Sequence, residues 1–197
     1  MIKSRKGAAN ASSEIRLTGR RIVLRQPRLS DAPRMQQLLR SREVTRYTFI
    51  PHPYRRQDAT EYIRKARLAT RKGLEYHFSL ETLADATLIG GIGITHVDRA
   101  NRNAEFGYWL AKPFWGQGLM TEAVNVLLAF AFGRLRLKRV YGHIWEPNVR
   151  SHRVVKRCGL SLEAVLKKSE RRQAKYLDKY VYAIIREEYY EQRRHAK

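Results

Sequence analysis

The chain has 197 residues, 43% hydrophobic and 29% charged, a size and balance that suit one globular domain and exclude a disordered or fibrous chain. Its 40 Lys and Arg against 18 Asp and Glu leave a net charge of +22, which favours anionic, phosphate-rich partners at long range, with a merely solvated basic surface as the competing reading. Cys158 is the single cysteine, so an intramolecular disulfide and a cysteine-rich metal site are excluded, and with no secretory or bilayer-spanning apolar run the expectation is a cytoplasmic protein with no membrane partner.

Residues 1–14 read as a flexible basic N-terminal segment and residues 15–197 as a single domain. The alternation of Arg21-Ile22-Val23-Leu24-Arg25 predicts a strand. Ser30-Asp31 can cap a helix running to about Arg40, with Pro33 in its tolerant first turn. After a loop holding Pro51 and Pro53, a second helix is expected from about Asp58 to Arg71, closed near Gly73. Strands follow at Glu75–Glu81, Leu88–Val97 and Ala104–Leu110, consistent with an antiparallel meander. Gly90, Gly91 and Gly93 lie inside one of them, where no helix pattern follows, and read as a close-packed or bulged strand.

From Gly118 the period changes. Ala123, Val126, Leu127, Phe130 and Ala131 form one helical face up to about Phe132. A strand at Arg139–Trp145, a short helix at Val149–Arg157, a strand from about Ser161, a loop over Ser169–Tyr180, a strand at Tyr176–Ile185 and a polar C-terminal helix complete the chain. The fold class is mixed α/β (α+β) around one sheet.

The chemistry concentrates between Ala104 and Gly159. A strand ends, Gly116 and Gly118 follow at alternate positions, and a long helix begins at once. Glycines there let the backbone approach a ligand, and the unpaired N–H groups of the helix start point the same way, which suits a pyrophosphate. The pattern fits neither a nucleotide P-loop, lacking Gly-Lys-Ser/Thr, nor a dinucleotide fold, lacking a third glycine. The six histidines show no metal-ligand spacing, and no metal site is expected.

In order and spacing, Gly107-Tyr108-Trp109-Leu110, Trp115-Gly116-Gln117-Gly118, Thr121-Glu122-Ala123, Asn148-x-x-Ser151 and Cys158-Gly159-Leu160 resemble the GNAT superfamily of acetyltransferases. Within it they are similar to the RimJ/RimL branch of ribosomal-protein N-terminal (alanine) acetyltransferases. Trp115 stands where the family usually has Arg or Gln, Met120 where it has a small residue, and Leu160 where it has Phe. The resemblance implies a GNAT-like fold, one mixed and mostly antiparallel sheet flanked by helices, with acetyl-CoA as cosubstrate. It implies coenzyme contacts from the strand Phe106, Gly107, Tyr108, Trp109 and Leu110, from the loop and helix start Trp115, Gly116, Gln117, Gly118, Leu119, Met120 and Thr121, and from Asn148 and Ser151.

Acetyl transfer needs an uncharged amine, yet α-amines and lysines, with reference pKa values near 8 and about 10.4, are mostly protonated at neutral pH. The resemblance makes Glu105 the proton acceptor, directly or through water. A backbone N–H of the Phe106–Leu110 strand would polarise the thioester, and Ser151 would donate to the departing thiolate. Tyr108 and Trp109 read as packing residues, Asn148 also as a helix cap and Cys158 as an inert buried thiol; His143 reads by default as a hydrogen-bonded strand histidine, with a base or a substrate-facing residue as the alternative. The leading acceptor is a protein N-terminal α-amine, with ribosome or RNA association through the basic surface. A small-molecule amine, or a noncatalytic acetyl-CoA-binding or RNA-binding module, are the alternatives. Residues Thr45–Arg56, with Tyr47 and Phe49, and the Ser169–Tyr180 loop are expected beside the acceptor.

Overall fold

The computed structural model describes residues 14–172 and 174–195. The segment expected to be flexible, 1–14, lies outside the described residues except for Glu14, whose carboxylate pairs with Arg28 at 3.2 Å.

Among the described residues eight strands, β1 (Arg16–Thr18), β2 (Ile22–Arg25), β3 (Tyr76–Thr82), β4 (Leu88–Asp98), β5 (Asn103–Leu110), β6 (Arg139–Trp145), β7 (Ser161–Arg172) and β8 (Lys175–Ile185), form one sheet in the order β1-β2-β3-β4-β5-β6-β8-β7. Every neighbouring pair is antiparallel except β5 and β6. Among the described residues six α-helices accompany it: α1 (Ala32–Leu39), α2 (Arg42–Thr45), α3 (Arg56–Lys72), α4 (Leu119–Gly133), α5 (Val149–Arg157) and α6 (Arg186–His195). The mixed, mostly antiparallel sheet flanked by helices is the architecture expected from the sequence. The strand Arg139–Trp145 and the helix Val149–Arg157 fall where the pattern put them.

Three differences have physical causes. β1 is three residues long and gains its place by pairing with β2, which no local pattern signals. The four-residue α2 is too short for a helical period to register. The loop expected over Ser169–Tyr180 is instead the tip of a long hairpin, with β7 reaching Arg172 and β8 beginning at Lys175. β7 is an exposed edge strand whose register shifts twice against β8. Its Lys167-Lys168-Ser169-Glu170-Arg171 run erases the apolar alternation, as edge strands commonly do.

Two cores cover the two faces of the sheet. On one, α4 buries Leu119, Ala123, Leu127 and Phe130 against Ile22, Phe78, Ile94 and Phe106. On the other, Met35 and Leu39 of α1 and Ala59 and Ile63 of α3 meet Leu88 and Trp109. Each fully buried Leu, Ile or Phe contributes about 1.5–3 kcal/mol, so α4 is held chiefly by its packing. The glycines of β4 serve this close packing as expected: a Cβ on Gly91 would come 2.5 Å from the Trp109 indole nitrogen, and one on Gly90 would come 2.6 Å from the Trp109 carbonyl.

A buried polar cluster locks β2 to the start of α1 and to β3. The Arg25 guanidinium donates to Asp31 Oδ2 at 2.8 Å, to Asp31 Oδ1 at 2.7 Å and to Glu81. Asp31 also accepts from the Arg28 N–H and the Ser79 hydroxyl. Burial pulls the Asp31 carboxyl upward, but these donors outweigh it and hold it below the usual carboxylate range.

Candidate active site

The site begins where the sheet opens. β5 and β6 pair in parallel only through Asn103–Arg139, Ala104–Val140 and Glu105–Tyr141. Beyond that point β5 stays paired to β4 as far as Leu110, and β6 stays paired to β8 as far as Trp145. The strands therefore splay, and the β6-facing backbone edge of Phe106–Leu110 has no strand partner. Phe106 fills the vertex from the α4 face: a Cβ on Gly142 would lie 2.7 Å from its ring. Gly107 meets nothing within 4 Å at its Cβ position, so the slot is open beside it.

The second part is the start of α4. Gly116 and Gly118 adopt φ values of +77° and +76°, a left-handed geometry open to glycine with little strain. The first bond of the turn is from Glu122 N–H to the Gly118 carbonyl at 3.0 Å. Among the described residues the N–H groups of Gly116, Gln117, Gly118, Leu119, Met120 and Thr121 therefore have no acceptor. Aligned free donors at a helix N-terminus suit a pyrophosphate. Arg21 braces the turn, donating to the Gln117 carbonyl at 3.0 Å while its Nε pairs with Glu122 at 3.0 Å.

Not every expected contact is open to a side chain. Leu119 and Met120 are buried in the core and Phe106, Trp109 and Leu110 are packed, so only their backbones face the slot. The Trp115 indole N–H donates to the Leu110 carbonyl at 2.7 Å, and the Arg150 guanidinium lies 4.7 Å over its ring. Trp115 thus ties the glycine turn to the end of β5. The Gln117 amide donates to the Pro113 carbonyl at 2.9 Å.

Asn148 caps α5, accepting from the Ser151 N–H at 3.3 Å. Near Ser151 the Tyr108 hydroxyl is buried with no hydrogen-bond partner among the described residues. Burial pushes it above the usual tyrosine range; Ser151 tempers the rise without completing a hydrogen bond of good geometry. Cys158 is buried and its thiol is pushed up to about 12 by that burial, as befits an inert thiol.

At the vertex, the Glu105 side chain is 26% exposed and flanked by two imidazoles. His143 Nδ1 lies 2.9 Å from Oε1 and His96 Nδ1 lies 3.3 Å from Oε2. The histidine on β6 is a hydrogen-bonded strand residue, as expected, but the identity of its partner follows only from the β5–β6 register. The segments expected beside the acceptor are also joined. Arg172 at the hairpin tip donates to the Thr48 carbonyl and lies 5.0 Å over Phe49 and 4.0 Å over Trp145. Phe49 meets Trp145 edge-on at 5.2 Å.

Taken together, free N–H groups on the α4 turn suit a pyrophosphate, and the unpaired β5 edge suits a ligand carrying amides. The orphaned Tyr108 hydroxyl marks a polar point beside Ser151. Coenzyme A has the chemistry that fits these positions. Among the described residues there is no His, Cys, Asp or Glu group that could hold a metal ion, and no helix long and apolar enough to cross a membrane.

A family model described as an acetyltransferase (GNAT) domain matches residues 21–161. The N-acetyltransferase p20 of Bacillus licheniformis is 28% identical over 169 residues, which are 86% of this chain and 95% of p20. The ribosomal-protein-serine acetyltransferase of Escherichia coli (strain K12) is 34% identical over 98 residues, 50% of this chain and 55% of that protein. A spermidine N(1)-acetyltransferase of Vibrio cholerae serotype O1 is 26% identical over 145 residues, 74% and 82% of the two chains. Among solved structures, RimL, a ribosomal L7/L12 alpha-N-protein acetyltransferase in complex with coenzyme A, matches with a TM-score of 0.81. That match covers 87% of this chain and 98% of RimL at 21% identity, a likeness of fold. With the family model spanning the opened sheet and the glycine turn alike, the chain belongs to the GNAT family of acetyl-CoA-dependent N-acetyltransferases.

Proposed function

We propose that the acceptor is a protein N-terminal α-amine, as the names of the E. coli relative and of RimL suggest for those proteins. The coenzyme occupies the β5–β6 slot, its pyrophosphate on the N–H groups of the α4 turn and its pantetheine amides along Phe106–Leu110. A β5 N–H polarises the thioester carbonyl. Glu105 supplies the negative charge that draws a proton from the acceptor ammonium, and the Ser151 hydroxyl donates to the departing thiolate.

The observation that carries the acceptor class is the state of the carboxylates on the elements bordering the site. On α2, Glu43 pairs with Lys112 at 2.6 Å. On the β7–β8 hairpin, Glu170 pairs with Lys179 at 3.1 Å and Asp178 accepts from the Lys168 N–H at 2.8 Å. A polyamine needs several free carboxylates, and a chain of +22 repels it. An N-terminal peptide brings one amine and a neutral backbone, which suit the aromatic surface of Phe49 and Trp145.

The basic surface supports an association with ribosomal RNA. A groove of about 440 Å³ between the β4–β5 turn and the end of α4 is lined by Arg99, Arg102, Arg134 and Arg136, none of them in an ion pair among the described residues.

Thiol release from acetyl-CoA tests the acceptor. Peptides with a free α-amine should support release, α-blocked copies should not, and spermidine should give less than about one tenth of the peptide rate. A preference for spermidine would replace the peptide by a polyamine.

A further inference from the structure

The Glu105 carboxylate can only accept hydrogen bonds, so a neutral His143 must carry its proton on Nδ1 to make the 2.9 Å contact with Oε1. That tautomer leaves the lone pair on Nε2, which no described residue engages. With a side chain 29% exposed, His143 can meet solvent or a ligand through that nitrogen. Strand alternation puts His143 on the same face of β6 as Tyr141 and Trp145, just past the point where β5 and β6 part. His96, 72% exposed at φ 50° in the irregular end of β4, holds the other carboxylate oxygen at 3.3 Å.

We propose that His143 Nε2, rather than a Glu105 oxygen, receives the proton of the acceptor ammonium, and that Glu105 is a positioning residue that fixes the imidazole tautomer and steadies the imidazolium. The inference deepens the proposed role of Glu105 and rests on that reading of the vertex.

The step balances without a further reactant. The acceptor ammonium gives one proton to Nε2, directly or through one water. The freed nitrogen attacks the thioester carbonyl carbon, a C–N bond forms and the C–S bond breaks. The thiolate takes the second nitrogen-bound proton, and the imidazolium returns its proton to water. The chemical reason for an imidazole is the gap to be crossed: a carboxylate of reference pKa about 4.3 is far from an α-amine near 8, whereas an imidazole of about 6.5 is much nearer. The other titratable and charged groups around the pair are His96 and Asp98 on β4, Tyr141 and Arg139 on β6, and Glu163 of β7, which pairs with Arg139.

The test is the pH profile of kcat/KM from about pH 5 to 9 for the full chain with acetyl-CoA and an N-terminal peptide. Wild type, His143→Gln, Glu105→Gln and His96→Gln are compared after each is shown to bind coenzyme A and to melt cooperatively. The wild type should show a one-proton acid limb. His143→Gln should lose that limb and about 100-fold in rate. Glu105→Gln should lose less, because the replacing amide oxygen still accepts from Nδ1–H, and His96→Gln should stay within about threefold. An unchanged limb in His143→Gln, with activity abolished in Glu105→Gln, would overturn the proposal and leave the carboxylate as the base.

Nitrogen NMR of the imidazole adds a readout independent of turnover: an Nδ1-protonated neutral His143 is expected, and an Nε2-protonated one contradicts the proposal. If the acceptor reading fails, peptides give no thiol release while a small amine does, and the same pH series is run on that amine.

Discussion

Glu105 and Tyr141 are the last partners across the one parallel seam among the described strands, and the unpaired β5 edge lies beyond that pair. Before it the two strands share hydrogen bonds; after it β5 presents a bare backbone edge. The Glu105–His143 contact is thus set by strand register more than by any loop.

The glycine turn proposed to hold the pyrophosphate depends on a backbone shape. Gly118 sits at φ +76°, where a residue bearing a Cβ is strained by about 1–2 kcal/mol. Gly118→Ala should weaken coenzyme A binding by about tenfold, equivalent to about 1.4 kcal/mol. Calorimetric titration of wild type and variant measures this, and equal affinities would detach the turn from the coenzyme.

The vertex is packed as tightly as a core. A Cβ on Gly142 would stand 2.7 Å from Phe106, and overpacking of that kind costs about 1–3 kcal/mol. Gly142→Ala should lower both the melting temperature and coenzyme affinity, because a displaced Phe106 shifts the strand edge beside it. Loss of stability with unchanged affinity would show that the edge tolerates the shift.

The Arg25–Asp31–Glu81 cluster should dominate stability near β2. Deleting one partner of a buried ion pair typically costs about 3–5 kcal/mol, so Asp31→Ala should show that loss in urea unfolding. The sign with pH follows from the lowered Asp31 value. Its contribution is fully present above the unfolded carboxylate pKa of about 4 and is lost as pH falls through the lower folded value. The wild type should therefore lose more stability than Asp31→Ala on acidification below about pH 4.

Cys158 is the chain's single thiol, and burial raises it to about 12. Native protein at pH 8 should react with an aromatic disulfide reagent at least about 100 times more slowly than urea-unfolded protein. Rapid labelling of the native chain would place the thiol at the surface.

Phosphate binding by the four-arginine groove should be salt-dependent. Reversing charge with Arg99→Glu and Arg136→Glu should weaken RNA association and flatten its dependence on salt, while acetylation of a short peptide stays unchanged. RNA binding that ignores both changes would locate any such contact elsewhere.

Much of this site was legible from local sequence. The glycine pair before an apolar helical period, and Asn148 three residues before Ser151, are short-range signals, and the structure keeps them together. What escaped was non-local. The two histidines beside Glu105 lie on strands brought together only by sheet register, and His96 faces the carboxylate because β4 turns irregular at φ 50°. Arg172 crosses to Thr48 over a separation of 124 residues. Only the tip of the β7–β8 hairpin was hidden, because charges on an edge strand obscure the period that reveals buried ones. Trp115 stands in the loop where the family pattern leads one to expect a phosphate contact, yet its indole is spent on an internal carbonyl.

In the proposed pose, the short seam between β5 and β6 makes the coenzyme more than a reactant. Two sheet segments, β1 to β5 on one side and β6, β8 and β7 on the other, share just three residue pairs. A ligand whose amides bridge the gap would act as a mortar strand, extending the seam along its open length. Its arrival would couple the motions of the two halves, so that the loaded protein melts as one unit. Departure of the product thiol would then loosen the sheet at the moment the acetylated chain must leave.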